Sequence, residues 1–126
     1  MDKKIVLSIL WIFLVLNYLY CDVLSLMDPS VLNELMTGTV GGMQLTQDFL
    51  LGASVLMEIP IIMVLISRFS KYKINRILNI IAGLIMAAVQ IWSLFVGETA
   101  IYYIFFSVIE IATCLFIVRY AWKWKE

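Results

Sequence analysis

From the amino terminus, long apolar runs alternate with short polar connections. The runs extend over about residues 5–26, 47–67, 77–96 and 100–120. A helix needs about 20 mostly apolar residues to cross the hydrocarbon core of a bilayer, and each run is near that length. Lipid offers no hydrogen bonds to a backbone, so a spanning segment must satisfy its own peptide groups, as a helix does. The pattern predicts an all-α fold: an integral membrane four-helix bundle, one domain over residues 1–126.

The connections carry their own signals. In MDPSVLNEL, Asp28 or Ser30 is placed to cap a short surface helix with Pro29 in its first turn. TGTVGG, residues 37–42, then ends any helix. RFSKYKINR reads as a short basic loop between the second and third spans, suited to anionic lipid head groups. A tight turn around Gly97 and Glu98 makes the last two spans antiparallel.

Composition narrows the class further. Apolar residues make up 63% of the chain and charged residues 14%, against about 45–50% and 25% in soluble domains. Net charge is zero, so no basic face exists for nucleic acid. There is no histidine, which removes histidine acid–base chemistry, most zinc sites and histidine-ligated haem. No metal or other cofactor is expected. Cys21 and Cys114 fall at different depths and read as packing residues rather than a disulfide. The first run is longer than a signal-peptide core and no small-residue cleavage site follows it, so it reads as a retained span.

Charge position orients the bundle. Lys3 and Lys4, then Arg68, Lys71, Lys73 and Arg76, then Arg119, Lys123 and Lys125 are all nine basic residues, and four spans place them on one side. The positive-inside rule puts that side, with both termini, in the cytoplasm. The expected location is the cell (cytoplasmic) membrane, with membrane lipids as neighbours.

Polar residues inside the spans are the candidate chemistry. Glu58 and Glu110 fall near the middle of the second and fourth spans, Asn17 just past the middle of the first, Gln90 roughly two-thirds of the way outward along the third, and Asp22 in the outer third of the first. Helical spacing groups them: Asn79, Gly83, Ala87, Gln90, Ser93 and Gly97; Tyr103, Ser107, Glu110 and Cys114; Gln47, Leu51, Ser54 and Glu58. Stripes of small and polar residues are how membrane helices approach one another, so the stripes are expected to converge. No basic residue is deep enough to pair with the glutamates, so at least one is expected to be neutral and hydrogen-bonded to Asn17, Gln90 or the other glutamate. Against this stands the plainer reading that such groups only join helices. Pro60 removes a backbone donor and predicts a kink next to Glu58.

Four segments, LWIFLVLNYLYCDVLSLMDP, FLLGASVLMEIPIIMVLISR, KYKINRILNIIAG and YYIFFSVIEIATCLFIVRYAWKW, resemble a family of small four-span prokaryotic membrane proteins filed as a domain of unknown function. The resemblance implies a four-helix membrane protein and brings no activity, substrate or catalytic residue. From the residues, the leading reading is a bundle whose polar, acidic core holds a small lipophilic or amphipathic ligand. A proton- or cation-coupled small transporter and a structural or accessory subunit without ligand stay open beside it. Self-association is compatible with all three. No nucleophile–base pairing is evident, which points away from an enzyme.

Overall fold

The computed structural model describes residues 2–40, 43–95 and 100–125. The turn expected around Gly97 and Glu98, and the Gly41–Gly42 pair, lie outside the described residues. Helix α1 spans Lys3–Met27, with the Asp2 carboxylate accepting from the Lys4 amide at its start. Helix α2, Pro29–Met36, is the expected surface helix: Asp28 accepts from the Ser30 amide and Pro29 sits in the first turn, where a missing N–H costs nothing. Gly38, at φ 81°, ends it in the left-handed region that glycine enters without a Cβ clash. A two-residue antiparallel pairing of β1, Thr39–Val40, with β2, Met43–Gln44, follows.

Three long helices complete the chain: α3, Gln47–Phe69; α4, Tyr72–Ser93; and α5, Ile101–Trp122. With α1 they are four helices long and apolar enough to cross a membrane. At about 1.5 Å per residue the shortest of them, at 22 residues, is roughly 33 Å long, enough for the hydrocarbon core. The chain is a multi-pass membrane protein.

Helix α1 packs between α3 and α5, α5 lies against α4, and α3 meets α4 to close the ring. The core is built at helical spacing: Leu7, Trp11, Leu14 and Tyr18 on α1 meet Met63 on α3, Ala82, Met86 and Ala87 on α4, and Cys114 and Ile117 on α5. The most extensive contact, α4 with α5, depends on Gly83. A Cβ there would stand 2.6 Å from Val118 Cγ2 and 3.3 Å from the Cys114 carbonyl oxygen. Glycine lets the two backbones approach this closely.

The basic loop expected between the second and third spans is almost absent. Only Ser70 and Lys71 separate α3 from α4, and Tyr72 to Arg76 are helical. Hydrogen bonds account for the difference. Asn75 Nδ2 donates to the carbonyls of Ser67 and Ser70, which the end of α3 leaves unpaired. Arg76 donates through Nε and Nη2 to the carbonyls of Ala121 and Trp122 at the end of α5, where a helix also favours positive charge. Tyr72 donates to the Trp124 carbonyl and meets its ring edge-on at 5.0 Å. Lys3 lies over the Tyr120 ring. The start of α1, the α3–α4 connection and the end of α5 therefore share one end of the bundle, here called the basic end.

Helix α3 differs from the other three. Pro60, Met63 and Ser67 are its buried residues, and every residue from Gln47 to Val55 is exposed. Helix α3 is continuous through Pro60, which is buried inside it. Burial changes after Val55: Leu56, Met57 and Ile59 pack against the core, and Pro60, Met63 and Ser67 are buried.

Candidate functional site

Two polar layers cross the core. Nearer the basic end, Asn79 on α4 is the centre of a closed network. Its Oδ1 accepts from Trp11 Nε1 at 2.7 Å and from Ser67 Oγ at 3.3 Å, and its Nδ2 donates to the carbonyl and Oδ1 of Asn75. Trp11, Ser67, Asn75 and Asn79 are all fully buried. Beside them Ser8 Oγ donates to the Val64 carbonyl. Together these bonds tie α1, α3 and α4, and the shared donors and acceptors of the four side chains are engaged. Of this group the sequence pattern pointed only to Asn79. The signal for the rest was the four-residue spacing of Asn75 and Asn79, which puts two amides on one face.

The second layer lies farther from the basic end, between α4 and α5. Gln90 Nε2 donates to Ser107 Oγ at 2.7 Å, Ser93 Oγ to the Gln90 carbonyl, and Tyr103 Oη to Ser93 Oγ at 2.6 Å. One turn from Ser107 on α5 stands Glu110, 1% exposed, with neither Oε1 nor Oε2 hydrogen-bonded. One turn further, Cys114 Sγ lies 4.0 Å from Tyr18 Oη of α1. The stripes predicted on α4 and α5 therefore do face inward, apart from Gly97, which lies outside the described residues. Asn79, Gly83, Ala87 and Gln90 are buried, as are Ser107, Glu110 and Cys114.

The remaining candidates make no hydrogen bond in this layer among the described residues, although Asp22 is near enough to act electrostatically on Glu110. Glu58 is exposed on the outward face of α3, together with Gln47, Leu51 and Ser54 of its predicted stripe. The expected convergence of Glu58 with Glu110 is corrected: the polar stripe of α3 points away from the bundle, because Met63 and Ser67 on its other face do the packing. Asn17 Nδ2 donates to the Phe13 carbonyl of its own helix, and so bonds neither glutamate. Asp22 is exposed. Gln90 is in place but engaged with Ser107 rather than with a carboxyl. Of the predicted set, the structure brings together Gln90 and Glu110.

A buried carboxyl without a partner is unusual, since burying a polar group unpaired costs about 1–3 kcal/mol in proteins. A charged one in a span is costlier still, and such residues commonly mark ion or substrate pathways. The neighbouring donors of Gln90, Ser93 and Tyr103 already have acceptors. Among the described residues, Glu110 is the buried side chain whose oxygens both lack a hydrogen-bond partner.

The chain belongs to a family of unknown function, DUF6326, whose model matches residues 1–126. Comparison with curated proteins and with solved structures finds no match.

Proposed function

We propose that this member of the unknown-function family is a membrane-embedded binding protein, holding a small lipophilic molecule through a cationic or hydrogen-bond-donating group at Glu110. The observation that carries this reading is the buried Glu110 carboxyl with both oxygens unpartnered. A ligand amine or hydroxyl would supply the missing donor, and the surrounding apolar core would take its hydrocarbon part.

The test uses the full chain in lipid nanodiscs, with dodecylamine as probe and dodecyl methyl ether, which has no hydrogen-bond donor, as its control. Saturable dodecylamine binding is expected for the wild type and for Asn17→Ala, with a loss of at least about tenfold in Glu110→Gln. Equal binding of the two probes, or undiminished binding in Glu110→Gln, overturns the reading.

A proton-coupled role is a second reading, favoured by the hydroxyls that lie to one side of Glu110 along its own face of α5. Ser107 and Tyr103 lie one and two turns from Glu110, away from the basic end. In the other direction the same face continues through Cys114, Ile117 and Ala121, all buried. Protons would then reach Glu110 from one side. Proton uptake into liposomes under a pH gradient, abolished by Glu110→Gln, is the expected result; an absence of uptake by the wild type removes this reading.

A further inference from the structure

Helix α3 carries a second carboxyl that nothing in the fold uses. Glu58 stands in the middle of a membrane-spanning helix, exposed, with no hydrogen bond or ion pair among the described residues. Ionisable residues in spans almost always face a protein interior or a water-filled cavity, because lipid solvates them poorly. An outward-facing carboxyl at this depth therefore implies that another protein surface covers it.

The residues around Glu58 say what kind of surface. Gln47, Leu51, Ser54, Glu58, Ile61, Leu65 and Arg68 follow at intervals of four, three, four, three, four and three, and all seven are exposed. This is the alternating spacing of a left-handed coiled-coil seam, with Glu58 at its centre. Ile61 and Leu65 also wall an apolar groove of about 370 Å³, whose other side includes Ile12, Val15 and Leu16 of α1. The surface beside the seam is thus concave, the shape into which a partner helix ridge packs.

We propose that the partner is a second copy of this chain, joined α3 to α3 in parallel about a two-fold axis normal to the membrane. Copies inserted in the same orientation present α3 in the same direction, and a two-fold axis along the seam sets each residue opposite itself. The seam suits that pairing. A neutral carboxyl both donates and accepts, so two Glu58 side chains bond reciprocally, and the Gln47 amide is self-complementary in the same way. A lipid chain offers neither donor nor acceptor. Arg68, the fixed charge, falls at the basic end, where it reaches the membrane surface.

The test is disulfide cross-linking of the full chain in proteoliposomes. In a Cys21→Ala, Cys114→Ala background, cysteines are introduced singly at Leu51, Ser54, Ile61 and Leu65 on the seam and at Gly52 and Ala53 off it. Oxidation is expected to give covalent dimers at the four seam positions and at neither control. In parallel, energy transfer between labelled wild-type copies, which keep their own cysteines, measures dissociation as the membrane is diluted with lipid. Glu58→Gln is expected to stay within about threefold of wild type, and Glu58→Leu to dissociate about tenfold more readily. Cross-linking without the three–four periodicity, an absence of dimer in the purified system, or a Glu58→Leu dimer as tight as wild type each overturns the proposal.

Discussion

The two buried polar layers resemble each other in composition and differ in how they are completed. Around Asn79 each shared donor meets an acceptor at 2.6–3.3 Å, and three helices are fastened at one point. Around Glu110 the amide and hydroxyls bond to one another and leave the carboxyl alone. Polar groups that only join helices are selected for closure, because an unmatched donor in a dry core costs more than a matched pair gains. A group left open at the same burial is more simply explained by something the fold does not itself supply. The difference teaches that polarity within a span is a weak sign of function, and incomplete polarity a stronger one.

Substitution at the two centres breaks or sharpens that contrast. The largest effect is expected at Asn79. Replacing Asn79 with Leu strands the Trp11 N–H and the Asn75 Oδ1, and should lower stability by about 3 kcal/mol. The measurement is reversible unfolding in bicelles, and a change under about 0.5 kcal/mol would mean the network is not the fastening it looks like. The effect at Glu110 is expected to be smaller and opposite in sign. Glu110→Leu removes an unpartnered carboxyl and fills its space, so stability should rise by about 1–2 kcal/mol while dodecylamine binding is lost. A stability loss as large as that of Asn79→Leu would make Glu110 another fastening, and the contrast would disappear.

The spans were legible because membrane insertion depends on apolar content summed over about 20 residues, and four such runs stand out. The caps of α2 were legible too, since Asp28 and Pro29 act within one turn of their own backbone. The α3–α4 connection was harder to read. Lys71, Lys73 and Arg76 suggest a solvated loop, yet Asn75 and Arg76 find the free carbonyls of α3 and α5 and hold Tyr72 onward in a helix. The carbonyls that Arg76 reaches, of Ala121 and Trp122, lie 45 and 46 residues away, where no local signal points. Gln90 and Glu110 were found by depth and spacing, whereas the partnership of Trp11 with Asn79, 68 residues apart, had no local sign.

Glu58 marks the boundary most clearly. The sequence determined that a carboxyl lies halfway along a span, and that its stripe of Gln47, Leu51 and Ser54 has the same helical period as the stripes of α4 and α5. It did not determine which way that stripe turns. In water an apolar face must turn inward, so periodicity alone gives orientation. In a bilayer the lipid is as apolar as the core, and the apolar faces of a helix carry no such preference. Number of spans, their lengths and the gathering of basic residues at one end are sums over the chain, and the sequence holds them. Which side of α3 meets the bundle, and which carboxyl is enclosed, depended on how Gly83, Pro60, Met63 and Ser67 let four helices fit together, and only the tertiary structure decided it.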